Sequence, residues 1–213
     1  NVHAAKFTKA ISIATTDSDL SAIPFAAKFV YPFADYLMMP DALAYQNHPK
    51  QICYPGYQEL AYLHPNRFEP DSTVLEQCGL KESDTFFILR FTAFKAHHDI
   101  GMYGLSMEQK WELIRLLEQY GRVLITSEVN DPEFTPYYLH ISPEKIHSLL
   151  YYSSMLICDS QTMTTEAAVL GTPAFRCNTF AGKLTVIEEI EKLYDLAYSY
   201  HPIHYNWMIR KIE

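Results

Sequence analysis

From about residue 84 to the C-terminus the chain alternates short apolar runs with segments of helical periodicity, and this alternation restricts the fold more than any other feature. Residues 85–91, TFFILRF, read as a continuous apolar run, the pattern of a strand covered on both faces. Ser106 with Gln109 three residues on is a capping box that opens a helix. Met107, Trp111, Ile114 and Leu117 give that helix one apolar face, and Gly121 ends it. RVLITS (122–127) is the next strand. Ser142-Pro143 predicts an N-cap with proline at the first helical position, and Ile146, Leu149, Leu150 and Ser153 form the inner stripe. MLICD (155–159) is a third strand, running into the helix SQTMTTEAAVLG that Gly171 closes. TPAFRC (172–177) follows, then a helix lined by Val186, Ile190 and Leu193, a strand at 196–200 and a terminal helix. Strand and helix repeated about five times imply a parallel sheet with right-handed crossovers, an α/β class of Rossmann-like type.

Residues 1–83 are less regular. AISIA (10–14) and YLMM (36–39) read as short strands with an apolar helix between them around 20–34, and QICY (51–54) follows. The stretch YLHPNRFEPD (62–71) carries no period and is placed as a linker. The expected organisation is a partial N-terminal Rossmann-like domain with its linker at 1–69 and a complete one at 70–213. The first residue is not methionine, which reads as a piece of a longer chain.

Composition removes several function classes. Seventeen Lys and Arg against 25 Asp and Glu give a net charge of −8, with no basic footprint for nucleic acid. No apolar run approaches the roughly 18 to 20 residues that span a bilayer, and the start is neither a signal peptide nor a lipidation site. Cys53, Cys78, Cys158 and Cys177 are far apart, and two of them lie in core strands, which fits a reducing cytoplasm. The seven glycines include no GxGxxG and no GxxxxGK[ST], so a dinucleotide fingerprint and a P-loop are excluded. A phosphate, if bound, must sit at a helix start without a glycine cradle.

In open parallel sheets ligands bind outside the carboxyl ends of the strands. The most informative end is Asp159-Ser160-Gln161-Thr162-Met163-Thr164, where a buried strand meets a helix whose first turn is rich in hydroxyl and amide side chains. Free N–H groups and the helix dipole favour an anion there, and Ser160 and Thr162 add hydroxyl donors. Glu166 lies one turn on, within reach of a ribose, whose vicinal hydroxyls suit a carboxylate. Capping by Ser160 or Thr162 explains the same residues equally well. At the end of the first strand, near Arg90, stand Lys95, His97, His98 and Asp99; one histidine is expected to face the cleft and hold the diphosphate or protonate a leaving phosphate. The spacing of HHD does not suit a metal, and no cofactor is expected. Ser127 and Glu128 end the second strand, and the Ile141 backbone precedes the next helix. Asp17 follows the strand AISIA and would offer a carboxylate across the cleft, although an Asp pair there also reads as a helix cap. The 16 tyrosines read as packing with a hydroxyl at the rim rather than as a sugar platform.

The stretch from Asp159 to Pro173, DSQTMTTEAAVLGTP, resembles the DSGGxQEEAxxLGxP motif of UDP-N-acetylglucosamine 2-epimerases, without a gap. The chain is more similar still to a family of predicted glycosyltransferases of the same GT-B architecture. Phrases like GYQELAYLHP (56–65), ILRF (88–91), HHDIG (97–101), ISPEKIH (141–147) and DSQTM (159–163) recur there in this order. The resemblance covers nearly the whole chain. It implies two Rossmann-like domains with a nucleotide-sugar between them, Glu166 holding the ribose and Ser160, Gln161 and Thr162 the diphosphate. Gln161 and Thr162 stand where the epimerases have glycines, and KAHHDIG replaces their HRREN-like stretch. It also implies that the first half of the N-terminal domain lies outside this sequence.

The expectation is therefore a metal-independent GT-B glycosyltransferase using a UDP-sugar and an unidentified acceptor. Candidate catalytic residues are Asp17, His97 and His98. Candidate substrate-binding residues are Arg90, Lys95, Ser127, Glu128, Ile141, Ser160, Gln161, Thr162, Met163 and Glu166. A 2-epimerase and a non-catalytic nucleotide-binding module stay open beside it, and a homo-oligomer is compatible with all three.

Overall fold

The computed structural model describes residues 2–46, 49–93, 101–128 and 131–213. Two parallel sheets organise them. The first joins β1 (Ile13–Thr15), β2 (Tyr36–Pro40) and β3 (Gln51–Tyr54) in that order, with α1 (Val2–Ala5) ahead of it and α2 (Pro24–Phe29) between its first two strands. α3 (Leu60–Leu63) and α4 (Thr73–Gln77) lead to the second sheet. Its strands are β4 (Phe86–Phe91), β5 (Arg122–Ser127), β6 (Met155–Cys158), β7 (Ala174–Cys177) and β8 (Ala197–Tyr200), in the order β5-β4-β6-β7-β8. The crossovers carry α5 (Met107–Leu117), α6 (Ile146–Tyr152), α7 (Gln161–Val169) and α8 (Thr185–Glu189), and α9 (Tyr205–Ile212) ends the chain. This is the α/β, Rossmann-like architecture that the alternating pattern predicts, a five-stranded parallel sheet preceded by a three-stranded one.

The strand order carries a consequence for ligands. The chain leaves β4 to place β5 on one side and returns to place β6 on the other. The sheet therefore reverses its winding between β4 and β6, and a crevice opens beyond their carboxyl ends.

The capping box forms as its sequence predicts: Ser106 Oγ accepts the Gln109 N–H at 3.2 Å and Gln109 Oε1 accepts the Ser106 N–H at 2.9 Å. The buried face of α5 is shifted from the expected one. Leu113, Ile114 and Leu117 are buried while Met107, in the first turn, is 40% exposed. Ser142 caps nothing with its side chain, because a 3₁₀ turn at Pro143–Lys145 intervenes before α6. The helix lined by Val186 and Ile190 loses its stripe at Leu193, which is 70% exposed. There Ile190–Tyr194 winds as a π-helix, and the wider turn carries Leu193 off the buried face. Helix 20–34 is shorter than expected, with a 3₁₀ turn at Tyr31–Phe33 after α2.

Two cores flank the second sheet. One packs Leu113, Ile114 and Leu117 of α5 and Met208 of α9 on Phe87, Leu89, Ile157 and Phe175. The other packs Leu149 and Leu150 of α6 and Ala167 of α7 on Ile88, Leu156 and Ala174. A third joins the two sheets, with Leu37 and Met39 of β2 against Val186, Ile187 and Ile190. Asp19 strengthens that junction rather than capping α2: its carboxylate accepts the Thr185 N–H at 2.8 Å and the Thr185 hydroxyl at 2.7 Å. Among the described residues, no helix is long and apolar enough to cross a membrane.

Candidate functional site

Strand ends from the two sheets bring three carboxylates together. Asp17 follows β1 by two residues, Glu59 follows β3 by five, and Glu166 sits on α7 after β6. Asp17 and Glu166 both lie within electrostatic reach of Glu59. Glu59 is 4% exposed, and burial first, then these two neighbours, push its carboxyl up to about 7. A buried carboxyl near neutrality can either give or take a proton.

Glu166 is held from two directions. Its Oε1 accepts the Tyr62 hydroxyl at 3.0 Å, and His147 Nε2 stands 2.9 Å from the same oxygen. Tyr62 comes from α3 and His147 from α6, so the carboxylate is fixed between the two halves of the chain. Oε2 takes no hydrogen bond among the described residues, which leaves one acceptor oxygen oriented and open. Burial, then Glu166, raise the Tyr62 phenol above its ordinary value, so it remains a donor across the physiological range. Burial also pushes Tyr54, at the end of β3, up to about 12. A carboxylate with one oxygen anchored and the other free is suited to accept a ligand hydroxyl.

α7 begins beside this cluster. Ser160 is its N-cap, its Oγ accepting the Met163 N–H at 3.4 Å, so the capping alternative is realised. The capping leaves the hydroxyl proton of Ser160 and the N–H groups of Gln161 and Thr162 without intrahelical partners. Thr162 is exposed, Gln161 is half-buried, and Met163 packs its side chain against the core under α6 and α7. Asp159, one residue before the cap, is 4% exposed and accepts the Thr92 N–H at 2.7 Å through Oδ1. Burial pushes its carboxyl up to about 6.

Arg90, Ser127 and Glu128 are brought together at the ends of β4 and β5, where Arg90 Nη2 meets Glu128 Oε1 at 2.8 Å. Glu128 Oε2 also accepts the Ala93 N–H at 3.0 Å, and Arg90 Nη1 reaches Thr126 Oγ1 at 3.1 Å. This network secures the β4–β5 edge from within. Ile141 packs half-buried against the α6 core. Asp17 accepts the Ser18 hydroxyl at 3.1 Å and caps no helix start. Lys95, His97 and His98 lie outside the described residues.

Glu59, Tyr62, His147 and Asp159 were missed as site residues by sequence reasoning. A signal existed for the first pair: Glu59 and Tyr62 are three apart, which puts both on one side of a helical turn. The proline-rich surroundings hid it, since the segment from Tyr62 onward carries no period.

No family model matches the chain, and no curated protein does. Among solved structures, the chain is similar to the wall teichoic acid polymerase TagF at 15% identity and a TM-score of 0.42, covering 85% of this chain and 49% of that one. A substituted form of the same polymerase gives 14% identity and a TM-score of 0.40 over the same shares. The chain thus spans about half the length of the solved chains it matches. At these values the likeness adds nothing to the fold read from the sheets and says nothing of activity.

Proposed function

We propose that this chain is the donor-binding part of a nucleotide-sugar-dependent glycosyltransferase of GT-B type, with a UDP-sugar as donor. The observation that carries this reading is Glu166: a buried carboxylate anchored through one oxygen by Tyr62 and His147, one turn behind a Ser160-capped helix start. Its free oxygen suits a ribose hydroxyl, and the first-turn amides with the Ser160 hydroxyl suit the diphosphate. The motif resemblance between Asp159 and Pro173 assigns the same roles to the same residues. Asp17, across the cluster from Glu166, is the candidate base that takes a proton from the acceptor, with Glu59 beside it as a buried carboxyl raised to about 7. The helix amides, with Lys95 or one of His97 and His98, would stabilise the departing diphosphate without a metal ion.

One observation favours a second reading. A 2-epimerase needs acid and base carboxylates at the sugar, and Asp17 with Glu59 would supply such a pair. The two readings part on product. Incubating the full protein with UDP-N-acetylglucosamine and EDTA should release UDP slowly, with water as acceptor, and yield no C2 epimer. Release of UDP that stops on chelation would defeat the metal-free mechanism. Accumulation of the C2 epimer would replace the transferase reading with the epimerase one.

A further inference from the structure

A cavity opens at the point where the sheet reverses its winding. It has a volume of about 490 Å³ and is walled by residues after β4, at the start of α5, after β6 and before α9. Volumes of this order belong to small-ligand clefts. None of Asp17, Glu59, Tyr62, His147 or Glu166 lines it, so it is separate from the carboxylate cluster. The β6–α7 turn joins the two: Asp159 faces the cavity, and the next residue, Ser160, caps α7.

Two charged groups in its wall are incompletely used by the protein. Asp159 takes the Thr92 N–H on Oδ1 and is also hydrogen-bonded by the Thr92 side chain and its own backbone, yet its two oxygens together offer about four acceptor positions, so it retains capacity for a ligand hydroxyl. The Lys110 ammonium rests 4.5 Å from the centre of the Phe91 ring and has no carboxylate or hydrogen-bond acceptor among the described residues. It influences Asp159 through space but makes no ion pair with it. The rim is less polar, with Tyr103 50% exposed and Ile203 73% exposed. The cavity therefore presents one acceptor for a hydroxyl proton, one cation for an anionic group and an apolar edge for the C–H face of a ring.

We propose that this cavity holds the sugar of the donor, and that Asp159 and Lys110 select a hexose ring carrying a carboxylate. The inference rests on the nucleotide reading above and names its substrate class. The order along the ligand follows the chain: ribose at Glu166, diphosphate at the start of α7, sugar ring past the turn at Asp159. Lys110 takes the ring carboxylate and Asp159 a ring hydroxyl.

Calorimetric titration of the full protein with UDP, UDP-glucose and UDP-glucuronate tests this. UDP-glucuronate should bind at least about tenfold tighter than UDP-glucose, the difference one charge-assisted hydrogen bond supplies. Lys110→Met should abolish that preference while leaving UDP affinity unchanged. Ile203→Trp, at an exposed rim position, should lower both sugar nucleotides to the affinity of UDP. Equal binding of the two sugar nucleotides by the unaltered protein, or weakened UDP binding in Lys110→Met, would overturn the sugar assignment while UDP binding itself stood. Absence of UDP binding would instead overturn the reading beneath it.

Discussion

Glu59→Gln should make the folded protein more stable at pH 8 and leave its stability at pH 4 nearly unchanged. The carboxyl titrates near 7 in the fold against an ordinary 4.5, because it is buried and faces Asp17 and Glu166. Between those two values the folded chain keeps a proton that the unfolded chain has released. The native state then binds more protons, so unfolding free energy falls as pH rises through this window and is level above it. A fully realised shift of that size corresponds to about 3 kcal/mol, and relaxation of the site brings the expected gain of the glutamine variant to roughly 2 kcal/mol at pH 8. Asp159, raised from 3.8 to about 6, adds a parallel loss of stability at lower pH that is common to both proteins and cancels in the difference. Urea unfolding of both proteins from pH 4 to pH 8 measures that difference. A difference that does not vary with pH would mean that Glu59 ionises in the fold as it does in water. The same substitution tests chemistry, since a group with this acidity that takes part in proton transfer would take turnover down with it.

Gly121→Ala should cost more stability than any other glycine substitution at a position with open surroundings elsewhere in the chain. A Cβ at Gly121 would lie 2.3 Å from the Thr85 carbonyl oxygen and 2.8 Å from its carbon, and both are backbone atoms that cannot swing aside. That carbonyl accepts the Arg122 N–H at 3.0 Å, the bond leading into the β4–β5 register that starts at Phe86 and Arg122. Relief of the clash must therefore displace the edge of the five-stranded sheet. Overpacking of this kind costs roughly 3 kcal/mol, or about 6–12 °C in Tm for a chain of this size. Gly182→Ala is the contrast: its Cβ meets nothing within 4 Å, and only the strain of its φ of +72° is incurred, about 1 kcal/mol. Equal losses in the two variants would show that the close approach at Thr85 is not what requires glycine.

The second sheet was legible because β4 to β7 are compact apolar runs and α5 and α7 begin with readable caps. The capping box at Ser106 and Gln109 formed as written, since both of its bonds are local and depend on nothing distant. Errors arose where tertiary context decides. The π-helix at Ile190–Tyr194 moved Leu193 outward, and no local spacing announces such a turn. Asp19 looked like a cap for the nearest helix but spends its carboxylate on Thr185, 166 residues away. The same limit applies at the candidate site. Glu166 was legible from its place after a strand and a capped turn, whereas its partners come from α3 and α6 and are joined to it only by folding. Lys110 and Asp159 are 49 positions apart by number (159 − 110) and share a cavity only because α5 and the β6–α7 turn meet where the sheet reverses.

The central claim, that Glu166 and the start of α7 bind a nucleoside diphosphate, is tested most directly by titrating UDP into the unaltered protein and into Glu166→Ala and Ser160→Ala, each first shown to unfold cooperatively. Saturable binding to the unaltered protein, weakened at least about tenfold in both variants, is the predicted result. Unchanged affinity in two folded variants would contradict the assignment of this site.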